Sequence, residues 1–125
     1  MSQCPDNEIA KCWIKLTLSK EHSEDHRDNF WSFDILNDLC DNDPNRCYKI
    51  ISIIRSLDGS DIVLANLAAG PLEDLLSKHG EEFIDRIEKD VFSDAQFKKL
   101  LGAVWQNSIS DSVWERIKKI ASPTW

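Results

Sequence analysis

Glycine and proline are scarce, with four of each in 125 residues. That suits long helices and argues against a turn-rich β fold. Long apolar runs are missing too, whereas a membrane-spanning helix needs about 18 to 20 consecutive apolar residues. The longest candidate, Ile62 to Leu76, is interrupted by Asn66, Gly70, Pro71, Glu73 and Asp74. The opening Met-Ser-Gln-Cys-Pro-Asp has no basic start followed by an apolar stretch. A secretory signal is therefore not expected, and a cytoplasmic location is. Basic residues are in the minority, 15 Lys and Arg against 22 Asp and Glu. Direct nucleic-acid binding draws its affinity from Lys and Arg displacing counterions, so it is not expected. The chain also lacks a phosphate-binding glycine loop, a dinucleotide fingerprint and a nucleophile elbow.

What is present is enough for one core. Apolar residues make up 42% of the chain and include five Trp and five Phe. Disordered chains lack such residues, and the length suits a single domain over 1–125. The cysteines are Cys4, Cys12, Cys40 and Cys47. Cys12 sits beside Trp13, and Cys47 falls on an apolar helix face. With no signal peptide, they read as reduced thiols acting as small hydrophobes.

Apolar residues recur at three- and four-residue spacing from end to end, and no sustained alternation supports strands. The first helix, Asp6 to Leu18, places Ile9, Cys12, Trp13 and Leu16 on one face. The second, about His26 to Asp41, buries some of Phe30, Trp31, Phe33, Ile35, Leu36, Leu39 and Cys40. Asp43-Pro44 caps and opens the third, which presents Cys47, Ile50, Ile51, Ile54 and Leu57. Asp58-Gly59-Ser60 leads to a fourth with Ile62, Leu64, Leu67 and Ala68, stopping at Gly70-Pro71. Pro71 opens the next, and His79-Gly80 closes it. Glu81-Glu82 starts a helix with Phe83, Ile84, Ile87 and Val91 inward. Ser93 with Gln96 then makes a capping box for a stripe of Phe97, Leu100, Leu101, Val104 and Trp105. Ser112 with Glu115 makes another for Val113, Trp114, Ile117, Ile120 and Ala121, with Pro123 at the end. The expected fold is all-α: six or seven short helices in antiparallel hairpins, forming a compact orthogonal bundle or a short α-solenoid, with the bundle slightly preferred.

Candidate chemistry reduces to local structure. His22 and His26 would share a helix face, but the intervening Ser-Glu-Asp misplaces the glutamate that a zincin needs. Asp41 to Asn45 resembles the first half of a calcium loop. Arg46 and Ser52, however, stand where glycine and a bidentate glutamate belong. The cysteine gaps match no common zinc pattern. Glu73-Asp74 and Glu81-Glu82 fall at expected helix starts, where the macrodipole favours acids. No catalytic residue, metal or cofactor is expected, and a small enzyme or metal protein is the least favoured of three readings.

The charge is uneven. Residues 21–43 hold eight acids against one base, Arg27, a local −7 equal to the charge of the whole chain. The last 31 residues carry five bases and two acids. Glu24, Asp25, Asp28, Asp34, Asp38 and Asp41 are the expected partner-binding acids. Trp31 joins them because Trp is enriched at interface hot spots.

The run Leu67-Ala68-Ala69-Gly70-Pro71-Leu72-Glu73-Asp74-Leu75-Leu76, then His79-Gly80, Phe97, Leu100, Val104-Trp105 and Val113-Trp114, resembles an uncharacterised bacterial helical domain family. It covers about residues 60–121 and leaves the acidic stretch outside. The resemblance implies a bacterial source and a small helical domain, and no activity. In general character the chain is similar to bacterial immunity proteins that neutralise secreted toxins. An acidic surface would steer such a protein to a basic nuclease domain. The expected function is a non-catalytic inhibitor of that kind, with a helical-repeat adaptor or regulatory subunit as the alternative. Its partner would be a protein, with no membrane or direct nucleic-acid contact.

Gly70-Pro71 gives the sharpest structural expectation. An internal proline costs a helix about 3 kcal/mol. The chain should therefore break at residues 69–71, with Leu67 and Leu72 buried on either side. Pro71→Ala should be mild, and Gly70→Val worse if the backbone there has a positive φ.

Overall fold

A computed structural model of the chain describes residues 5–123. Among these residues there are helices and no strands. In chain order they are α1 (Asp6–Leu18), α2 (Glu24–Asn42), α3 (Pro44–Leu57), α4 (Asp61–Leu67), a π-helical turn (Ala68–Leu72), α5 (Glu73–Phe92), α6 (Ala95–Leu101) and α7 (Asp111–Ile120). Contacts join α1 to α4, α2 to α5, and α4 to α6, as well as chain neighbours. Elements distant in sequence therefore share one core, and the fold is a bundle rather than a solenoid. No described helix is long and apolar enough to cross a membrane.

Several starts follow from their caps. Asp43 Oδ1 accepts from Arg46 N at 3.3 Å with Pro44 in the first turn, as its sequence implies. The α2 start lies two residues earlier than expected, because Ser23 Oγ accepts from His26 N at 3.1 Å. Asp94, and not Ser93, caps α6, accepting from Phe97 N at 3.1 Å. Ser110, and not Ser112, caps α7.

The expected break at Gly70-Pro71 is absent: helix runs through it from Asp61 to a kink at His79, where the sequence had placed a helix end. The turn widens instead, and Glu73 N–H reaches back to the Ala68 carbonyl, five residues away. A proline in a regular helix clashes with the carbonyl four residues earlier, and one extra residue in the turn relieves this. Leu64, Leu67, Leu72 and Leu75 are all fully buried across the turn. Each such side chain contributes about 1.5–3 kcal/mol. Keeping all four in one register outweighs the proline's cost. Gly70 does not have a positive φ, and a Cβ there would meet nothing within 4 Å. The condition attached to Gly70→Val therefore does not hold.

The chain bends instead at His79, with φ −135° and ψ 23°. His79 Nε2 lies 2.9 Å from the Cys40 carbonyl oxygen, tying the bend to the end of α2. Gly80 is buried there without a positive φ, so it is a contact glycine and not a left-handed cap.

The core includes Ile9, Trp13, Leu36, Ile50, Ile51, Ile54, Phe83 and Phe97. Arg46 Nε to Asp6 Oδ1, at 2.8 Å, ties α3 to α1. Arg116 pairs with Asp85 and Glu88, each at 2.5 Å, and ties α7 to α5. Leu57, Ile62 and Trp105 were expected inside, yet are 49%, 51% and 68% exposed. The periodicity was extended past its element for Trp105, since α6 stops at Leu101. Cys40 and Cys47 are free thiols, while Cys4 and Trp125 lie outside the described residues.

A Cβ on Gly80 would lie 3.1 and 3.3 Å from the two methyls of buried Val113 on α7. Gly80→Ala gains helix propensity of about 1 kcal/mol but overpacks a stiff β-branched neighbour, at about 1–3 kcal/mol. Denaturant melts should show Gly80→Ala destabilised in the native background. In a Val113→Ala background the same change should be neutral or stabilising.

Candidate functional site

The second helix carries more apolar residues than one core stripe holds. Leu36, Leu39 and Cys40 are buried, together with Asn29 and Ser32. Trp31 and Ile35 are half-buried against the core, so Trp31 is less available to a partner than expected. Phe30 and Phe33 turn away and remain 42% and 43% exposed. His26, Phe30 and Phe33 recur at helical spacing and share a face. Their ring centroids lie 5.6 Å apart for His26–Phe30 and 5.4 Å apart for Phe30–Phe33.

This aromatic face forms one wall of an open groove of about 470 Å³. Trp13 and Leu16 of α1 line it from one side, and Asn66, Ala69, Gly70 and Pro71 close it from the other. A narrower extension past Phe33 reaches Asn37, Cys40 and Asp74. The widened turn thus places Gly70 and Pro71 in the wall of both parts. Glu21 stands in the lining at one end and Asp74 at the other, and neither lining includes Lys or Arg. At the Asp74 end the thiol of Cys47 is hydrogen-bonded to Cys40, which holds the Cys40 pKa below its ordinary value against the effect of burial. That bond and burial push Cys47 upward and keep it protonated.

The expected acids Glu24, Asp25, Asp28, Asp34, Asp38 and Asp41 are all exposed on α2. They do not converge on one point. By helical spacing, Asp34, Asp38 and Asp41 form a row beside the aromatic face, while Glu24 and Asp28 share a row with Trp31 and Ile35. Asp41 is ion-paired to Lys78. Asp38 Oδ1 accepts from Asn42 at 2.9 Å. Glu24, Asp25, Asp28 and Asp34 make no ion pair with a described base. His22 has φ 66° and precedes the helix, so it does not share a helix face with His26. No group of three His, Cys, Asp or Glu is placed to hold a metal among the described residues.

Phe30, Phe33, Ala69 and Gly70 did not stand out in the sequence as site residues. The available signal was the surplus on α2: seven apolar residues between Phe30 and Cys40 exceed the roughly 100° stripe a surface helix buries.

Burial raises the Asp74 carboxyl above its usual range; Glu73 and Asp41 raise it further and Lys78 opposes them. A carboxyl raised on folding favours the native state only while protonated, so its contribution is lost as pH rises through the folded value. Asp74→Asn should therefore raise the melting temperature at neutral pH. The gain should vanish well below the carboxylate range, which melts at both pH values will check.

No curated protein and no solved structure matches the chain. The family match takes in the acidic helix, wider than the 60–121 over which the sequence resembled an uncharacterised family. The chain belongs to a family of unknown function (DUF6869), whose model matches residues 19–124.

Proposed function

We propose that the chain is a non-catalytic protein-binding module that meets a basic partner surface with α2. At its most specific, this reading makes it an immunity protein that neutralises a cognate bacterial toxin. The observation that carries it is the arrangement of the acids. Glu24–Asp28 and Asp34–Asp38 are like-charge pairs four residues apart on an exposed helix. Each pair destabilises a helix by about 0.2–0.5 kcal/mol. Asp41 stands in the last turn, where the dipole disfavours an acid. Glu24 suits the first turn of α2 and Asp41 is paired with Lys78, but the like-charge spacing itself does not stabilise the helix, whereas a basic partner would be steered by it and would neutralise it.

A second reading is an adaptor or regulatory subunit that binds through the groove alone, without the acids of α2. The test separates the two. Asp28→Lys, Asp34→Lys and Asp38→Lys are combined, and binding is measured to the protein encoded by the adjacent reading frame. The triple variant should stay within about 1 kcal/mol of native stability, because the change at Asp28 gains attraction to Glu24 while the changes at Asp34 and Asp38 leave a like-charge pair. Its affinity should fall by at least about tenfold, with a weaker salt dependence and lost protection in a growth-inhibition assay. Unchanged binding by a folded triple variant would favour the adaptor.

A further inference from the structure

We infer that the groove between α1, α2 and the π turn is the docking site for an extended segment of the partner, carrying an aliphatic or aromatic side chain between two cationic ones. This rests on the protein-binding reading above and adds where the partner enters and what it presents.

The middle of the groove is apolar. Phe30 and Phe33 offer half-exposed rings on one wall, and Pro71 with the exposed methyl of Ala69 faces them. Isolated exposed apolar side chains are ordinary, but two aromatics lining one concavity mark a contact surface. The ends are anionic: Glu21 closes one and half-buried Asp74 the other, and neither lining includes a Lys or Arg to neutralise them. Lys78 neighbours Asp74, but it is ion-paired to Asp41. A further cation at that end would meet a carboxylate partly withdrawn from water, where attraction is stronger than at the surface. The row of Asp34, Asp38 and Asp41 runs along the rim and extends the same preference.

The dimensions suit an extended chain. His26 to Asn37 spans twelve residues of helix, about 16 Å over the eleven steps at the helical rise. Five or six extended residues cover that length, so bases at the two ends of such a segment reach Glu21 and Asp74 together. Nucleic acid and an anionic membrane surface would both be repelled by this lining.

The probes are three blocked hexapeptides. The first, Arg-Ala-Leu-Phe-Ala-Arg, carries both features. The second, Arg-Ala-Ser-Ser-Ala-Arg, keeps only the charge, and the third, Glu-Ala-Leu-Phe-Ala-Glu, keeps only the apolar centre. Titrated into the full chain and followed by two-dimensional NMR, the first should bind at least about tenfold more tightly than either control, and should shift the Ala69 and Gly70 amides. Phe30→Gln with Phe33→Gln should reduce that preference to about threefold or less. Ala69→Gln, at an exposed helical position, should do the same and carries the test if the double variant fails to fold. Equal binding of the serine peptide, or shifts confined to the acids of α2, would overturn the groove assignment while leaving the acidic-face reading intact. Equal binding of the acidic peptide, or no binding of any, would also overturn it. Self-association abolished by Ala69→Gln would make a second copy the occupant and would overturn it as well.

Discussion

The continuous burial of Leu64, Leu67, Leu72 and Leu75 across Pro71 is the constraint on which the rest of this structure depends. A proline in that position would ordinarily end a helix. Here the apolar side chains on both sides are worth more in one register than the lost hydrogen bond. The widened turn is the compromise: it keeps the helix and spares the clash. Because the helix continues, α5 passes behind α2, and Ala69, Gly70 and Pro71 face the aromatic side of that helix. A corner at the same place would have carried α5 away and left no groove.

The second helix has two tasks. Its inner face, with Leu36, Leu39 and Cys40, packs into the bundle and holds the helix in place. Its outer faces carry acids that repel one another and aromatics that remain half in water. Apart from Asp41–Lys78, the ion pairs that tie the helices together lie elsewhere, at Arg46–Asp6, Arg55–Asp94 and Arg116 with Asp85 and Glu88. Charge is thus paired where it joins elements and largely unpaired on the free face of α2. An unpaired like-charge face costs stability, and the basic partner proposed above would relieve that cost.

Much of the fold was legible in the sequence, and the misses have physical causes. The bounds of α1 follow from its periodicity, and Asp43-Pro44 opens α3 as its chemistry requires. The α6 cap was misplaced by one residue because Ser93 and Asp94 are both able. Asp94 prevails, and it also takes Arg55 at 2.5 Å, a long-range partner invisible in sequence. Trp105 was assigned to the core by extending a stripe beyond Gly102. The C-terminal segment lies against Gly102, where a Cβ would come within 2.6 Å of the Ser122 carbonyl. The acids of the candidate site were legible from charge alone. Its aromatic wall was not, because which of seven apolar residues on α2 face inward depends on where α1 and the π turn sit. The outcome at Pro71 was likewise tertiary, since propensity favours a break and packing reverses it.

In the proposed mode of binding, α2 and the wall facing it across the groove form one contact surface. Hydrogen exchange of the full chain, free and bound to the protein encoded by the adjacent reading frame, addresses this most directly. Binding should slow amide exchange over residues 19–37 and 66–74 and leave α6 and α7 unchanged. Protection confined to α6 and α7, with those two stretches exchanging as in the free chain, would contradict it.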